Sequence, residues 1–200
     1  MEQKIERRLA ATAAPADPIA AALARLPAGV ADAWFRKPLI PAAVLLPLVR
    51  HGDTLSILLT MRTDHLKDHP GQISLPGGRV EPGDVGAAGT ALREVHEEIG
   101  IAPEQVRVLG YLEPLAVVTG FAVTPVVGWV AAGFELRLDA FEVAEVFEVP
   151  LAFLIDEQNL TRTVRTVRGI EARLYEYAFE ERRIWGATAQ MLKQFIDLIR

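Results

Sequence analysis

The stretch "SLPGGRVEPGDVGAAGTALREVHEEIGI", residues 74–101, joins a glycine-rich loop to an amphipathic helix. Pro76, Gly77, Gly78, Pro82 and Gly83 crowd its first half. Adjacent glycines allow a tight turn at positive φ and a bare backbone approach to a ligand. In the second half Ala87, Ala91, Leu92, Val95 and Ile99 recur near one stripe at 3.6-residue spacing, and Gly100 supplies the stop. The spacing predicts a helix over 86–99. Glu94, Glu97 and Glu98 stand at i, i+3 and i+4 of that helix, so their carboxylates can share one edge. Such a run is either a solvated face or a place prepared for a cation. Mg²⁺ and Mn²⁺ suit oxygen donors that leave several waters bound. A loop feeding a helix can offer backbone N–H groups to phosphate or a carbonyl to a metal. The glycine loop at fixed distance before the trio favours the cation.

Outward from this centre the chain reads as α/β. Short apolar runs at 42–49, 55–60 and 123–131, punctuated by glycine or proline, predict strands. Residues 106–115 and 167–179 are further strand candidates. A short helix is expected at 150–155 and a longer one over 186–199, where Ala189, Leu192, Phe195, Ile196 and Ile199 repeat the apolar stripe. Strands on both sides of one central helix, with another helix closing the chain, imply a mixed sheet covered on both faces, an α/β/α arrangement. Residues 1–36 read as a helical extension, with "IAAALARL" at 19–26 bracketed by prolines. Residues 37–200 read as the main domain.

Composition narrows the function. A net charge of −5 offers no broad basic field for nucleic acid. The absence of cysteine excludes disulfides, thiolate nucleophiles and Cys-based zinc sites. No apolar run is long enough for a membrane span, and the charged N-terminus lacks the apolar core of a secretory signal, so a cytoplasmic protein is the expectation. The N-terminal extension could pack against a second subunit to form a homodimer.

The residues from Gly78 to Ile101 resemble the Nudix box: a glycine, an acid six positions on, then Arg-Glu, two residues, Glu-Glu, one residue and Gly. "REVHEEIGI" fits each fixed position. Asp84 stands where the general pattern has Glu, and the gap to Arg93 is one residue longer. Upstream, "LLTMRTDHLKDHPGQISLPGG" (58–78) is similar to the extended motif of the coenzyme A pyrophosphatase branch. Its spacing is kept, with Thr63, Lys67 and Leu75 replacing the usual Ser or Ala, Arg and Phe. The longer gap before Arg93 also looks like this branch. Similarity to the group extends over roughly residues 36–199.

The resemblance implies a Nudix-type α/β/α sandwich with a loop–helix metal site, and cation-dependent hydrolysis of a small-molecule diphosphate such as coenzyme A or acyl-CoA. ADP-ribose or a dinucleotide is the alternative substrate, and a non-catalytic binding module the alternative class. It further implies that Glu94 and Glu98 ligate Mg²⁺ or Mn²⁺. Glu97 would be a further ligand or a contact to metal-bound water, with the Gly78 carbonyl an additional ligand. Arg93 would orient a glutamate. Arg62 and Lys67 are the cationic candidates for the substrate phosphates, beside the Gly77–Gly78 backbone. Among the acids of "FEVAEVFEV", Glu142 is the expected general base; in a strand Glu142 and Glu148 would share one face and Glu145 the other. His96 is expected to face solvent, His65 and His69 flank Lys67, and Trp185 is expected to pack.

Overall fold

The computed structural model describes residues 1–27, 29–35, 38–65, 71–167 and 170–200. Lys67 and His69, both named above, lie outside them.

A parallel pair of long strands forms the middle of the main sheet: β1 (Ile40–His51) beside β7 (Phe121–Val130), in register from Ile40↔Phe121 to Leu48↔Trp129. All other pairings are antiparallel. β2 (Thr54–Arg62) returns along β1, and β3 (Ile73–Ser74) and β8 (Val143–Pro150) flank β2. β5 (Val106–Tyr111) and β6 (Leu115–Val117) pair with β7. The expected strand over 106–115 is therefore two, broken where the Leu112 N–H donates to Pro125 O and its side chain turns into the core. A second sheet joins β9 (Leu160–Val167), β10 (Ile170–Phe179) and β11 (Arg182–Trp185).

Both faces of the main sheet are covered. β1 shows why, because successive side chains of a strand point to opposite faces. Ala43, Leu45 and Val49 pack with Ala91, Val95 and Ile99 of α4 (Gly86–Ile99). Ala42, Leu46 and Leu48 pack on the other side with α5 (Leu151–Ile155) and α6 (Gly186–Ile199). The apolar stripes at 86–99 and 186–199 are thus the two inward faces of an α/β/α layering.

The N-terminal residues form short helices, and the first of them packs on the main sheet's α6 side. α1 (Glu2–Leu9) buries Ile5 and Leu9 completely in the α6-side core. Its Glu6 accepts a bond from Trp129 Nε1 (3.2 Å) and pairs with Arg107. The Tyr111 N–H donates to Thr12 Oγ1 at 2.8 Å. A Cβ on Gly110 would lie 2.4 Å from that same Oγ1, so only glycine admits this approach. α2 (Pro18–Ala24) is capped by Asp17, whose Oδ1 accepts the N–H groups of Ile19 and Ala20, and α3 (Val30–Trp34) follows.

Around Leu45–Pro47 the edge of β1 away from β7 changes partner. Ala42–Val44 pair with β4 (Gly77–Arg79), and Leu48–His51 pair with β2. The Leu45 N–H donates to Pro76 O at 2.9 Å, which seats the start of the glycine loop in this gap. The loop therefore meets the sheet beside α4.

Candidate active site

A Cβ at either Gly77 or Gly78 would meet close neighbours. Gly77 has φ +151, and a Cβ on it would stand 2.4 Å from Ala43 O and 2.5 Å from Val44 Cα. A Cβ on Gly78 would stand 2.4 Å from Glu94 Oε1. The missing side chain of Gly78 is the space that the Glu94 carboxylate fills. The Gly77 N–H donates to Glu98 Oε2 at 3.1 Å.

Arg93 is fully engaged, and every engagement orders the site. Nε and Nη2 grip Asp84 (3.0 and 3.1 Å), Nη1 donates to Glu94 Oε1 and Glu97 Oε2 (2.9 Å each), and Nη2 also donates to Arg79 O at 2.9 Å. These bonds use the full fork of guanidinium donors, so none is left for a substrate. Arg93 thus donates to two of the three helix glutamates. Asp84 is what holds Arg93. It accepts, besides the fork, the Glu81 N–H and the Thr90 hydroxyl, each at 2.8 Å. The Arg93 guanidinium holds the Asp84 carboxyl well below the usual carboxylate range, aided by the Glu81 and Thr90 bonds against the cost of burial. Sequence reasoning had left Asp84 without a role.

Glu98 is different. It is only 6% exposed, and burial pushes its carboxyl up to about 8. The Gly77 N–H opposes that rise; the charges of Glu94 and Glu142 add to it, and Arg62 offsets part. Glu94 is likewise raised by burial first, with Arg93 lowering it and Glu97 and Glu142 raising it. Glu142 and Arg62 thus act on the same acidic centre as the helix glutamates. Glu142 lies in the turn before β8 rather than in a strand, and the other acids of its segment point elsewhere: Glu148 to His51 and Glu145 to Arg182. His96 is exposed, as expected. Trp185 corrects an expectation: it is 44% exposed, with the Arg183 guanidinium 5.3 Å from its ring centroid, because it ends an outer strand before α6.

A family model described as NUDIX domain matches residues 38–153, the span that contains the loop, the helix and the Glu142 turn. The chain belongs to the Nudix family. It is 40% identical to the protein named "Uncharacterized Nudix hydrolase NudL" of Enterobacter sp. (strain 638), over 76% of this chain and 79% of that one. It is 38% identical to a protein of the same name in Photorhabdus laumondii subsp. laumondii, over 80% of this chain and 84% of that one. The crystal structure of a C. elegans Ap4A hydrolase binary complex is similar over 56% of this chain and 80% of its own, with 22% identity and a TM-score of 0.49.

Nudix hydrolases act on small-molecule nucleotide substrates and use divalent metal ions, so the fit of a cation to these residues is a fair test. The Nudix helix passes it on chemistry. A buried carboxylate whose ionisation is opposed by burial and by neighbouring carboxylates is relieved by a cation, and the donors are all hard oxygens. Among the described residues no three Asp, Glu or His side chains are already gathered into a metal-ligating cluster. Arg93 draws Glu94 and Glu97 onto itself. No helix among the described residues is long and apolar enough to cross a membrane.

Proposed function

We propose that this Nudix hydrolase cleaves the diphosphate of coenzyme A or acyl-CoA, giving 4′-phosphopantetheine or its acyl form and adenosine 3′,5′-bisphosphate. Glu94 and Glu98, with Glu97 and the Gly78 carbonyl, would hold Mg²⁺ or Mn²⁺. When bound, the cation supplies charge neutralisation on the phosphoryl oxygens and lowers the pKa of water. The observation that carries the reading is the buried Glu98 carboxylate, bonded to the Gly77 N–H of the glycine loop and subject to the charges of Glu94, Glu142 and Arg62.

The chain's own residues have separable tasks. Arg62, at the end of β2, binds a phosphate, and its planar fork suits two phosphate oxygens. Arg93, locked by Asp84, keeps Glu94 and Glu97 turned to one side of the helix. Glu142 accepts the proton of the attacking water as its oxygen bonds to phosphorus. The bridging P–O bond breaks, and the second phosphate leaves with the bridging oxygen. Support for coenzyme A over other diphosphates comes from the spacing of the 58–78 stretch, in which Arg62 occupies a fixed position.

The test is a product-resolved assay of purified protein against coenzyme A, acetyl-CoA, ADP-ribose and a dinucleoside polyphosphate, with Mg²⁺ and Mn²⁺ compared. The expected result is cation-dependent turnover fastest on the coenzyme A compounds. Equal or faster cleavage of ADP-ribose would overturn the substrate assignment, and absence of cation-dependent turnover would overturn the enzyme reading.

A further inference from the structure

The turn that brings Glu142 to the acidic centre also presents a bare aromatic ring. Phe141 is 65% exposed, and the His65 ring lies 4.8 Å from it, centroid to centroid, tilted by 57°. A single exposed apolar side chain ordinarily needs no explanation. The backbone around this one is held from both sides. The Asp139 N–H donates to Glu98 O and the Arg137 N–H to Ile99 O, each at 2.9 Å, which ties the segment to the end of α4. On the other side the Thr63 hydroxyl donates to Phe141 O at 2.7 Å, and the Thr63 N–H to Glu142 O at 3.0 Å. Asp139 closes the turn: its Oδ1 accepts the Phe141 N–H at 2.8 Å, and its carbonyl accepts those of Glu142 and Val143.

The backbone of Phe141 is therefore held beside Thr63, the residue that follows Arg62, and directly before Glu142, the residue that would accept the proton, with its ring against His65. Consecutive Cα atoms are about 3.8 Å apart, so a molecule held through its phosphates at Arg62 has Phe141 within reach of its next group. In a nucleoside diphosphate derivative that group is the sugar and its base. We propose that Phe141, with His65 at its edge, is the platform on which the purine base of the substrate stacks. The proposal rests on the diphosphate-hydrolase reading but not on coenzyme A being the substrate. A phenyl face accepts any base, so the platform contributes affinity for nucleotides as a class, and discrimination comes from elsewhere.

The experiment uses the full chain and whichever adenine-containing diphosphate the wild type turns over fastest. Removing a stacked ring weakens binding by roughly 5- to 150-fold. Phe141→Ala and Phe141→Leu are both expected to raise KM by that factor with kcat little changed, the mark of binding lost equally in ground and transition states. Phe141→Tyr is expected to restore KM, because it keeps the π face that leucine lacks. A binding readout independent of turnover comes from Phe141→Trp, whose added fluorescence, measured against the wild-type protein, should be quenched by AMP and not by ribose 5-phosphate. A leucine variant with wild-type KM, or equal quenching by ribose 5-phosphate, would overturn the platform. If ADP-ribose outpaces coenzyme A while the Phe141 variants behave as expected, the substrate assignment falls and the platform stands. Coenzyme A turnover with unaffected variants gives the reverse.

Discussion

Gly77 and Gly78 are adjacent, but alanine at each should fail for a different reason. The three atoms nearest a methyl on Gly78 all belong to the Glu94 carboxylate, at 2.4 Å for Oε1, 2.5 Å for Cδ and 2.7 Å for Oε2. Ordinary van der Waals contact begins near 3.4 Å, so the carboxylate must retreat by about 1 Å, a displacement that can cost on the order of 10²-fold in rate when it misplaces a catalytic group. That is about 2.7 kcal/mol of barrier. The backbone of Gly78 is not at positive φ, and the obstructing atoms end a flexible side chain, so stability should change by no more than about 1 kcal/mol. A methyl on Gly77 meets backbone atoms of Ala43 and Val44 at φ +151, and neither can yield. Gly77→Ala should cost more than about 4 kcal/mol of stability. The assays are urea unfolding and steady-state kinetics with a Mn²⁺ titration for both variants. The decisive control is Glu94→Gln alone and combined with Gly78→Ala. Because the methyl acts through Glu94, the double variant should be no slower than Glu94→Gln alone. A Gly78→Ala protein with wild-type kcat and cation affinity, or losses that multiply in the double variant, would refute the reasoning.

Asp84→Asn should lower activity by about 10- to 100-fold, the range for residues that orient metal ligands, and destabilise by about 3 kcal/mol, since Arg93 is 23% exposed rather than fully buried. Kinetics and unfolding read both effects, and a silent variant would show that Arg93 needs no strut. Leu9→Ala, at a side chain that is completely buried, should cost about 3 kcal/mol with KM unchanged, measured by urea unfolding. Without divalent cation, the raised Glu98 carboxyl contributes stability in full below its unfolded range near 4.5, and loses it as pH rises toward about 8. Melting temperature in EDTA should therefore fall across that window more steeply in wild type than in Glu98→Gln, and added Mn²⁺ should flatten the wild-type curve.

The legible parts of the sequence are those where local spacing and tertiary role coincide. The α4 stripe predicted the face that packs on β1, and the glutamates off that stripe ended at the loop. What spacing alone does not position depends on contacts between distant segments. Glu142 reaches the centre because Asp139 donates to Glu98 O, a bond between stretches with no shared periodicity. Asp84 lies nine positions before Arg93, just ahead of α4, where helical spacing no longer determines which way a side chain is turned. α1 is polar except for two residues at i and i+4, and that pair, Ile5 and Leu9, was the available signal that the N-terminus belongs to the core. Trp185 misled in the other direction, because an aromatic before a helix usually packs and this one ends an outer strand.

The crowded glutamates of α4 are not equivalent, and the division follows from where each positive charge lies. Arg93 serves Glu94 and Glu97 through one Nη1 and is itself anchored by Asp84, so helix and loop charges neutralise one another without help. Among the described residues Glu98 has no such partner: it has one backbone N–H, part of the charge effect of Arg62, and the added burden of Glu142. A fold that needed only stability would place an apolar residue there, because an unpaired buried carboxylate is costly and a well-packed apolar side chain is not. In the proposed reading a bound cation would remove that cost where the carboxyl is ionised, which would make cation binding and local stability one equilibrium. Glu98→Gln should thus be at least as stable as wild type in EDTA at pH 8 and less stable than wild type in saturating Mn²⁺. That reversal of rank would separate a residue kept for the cation from one kept for the fold.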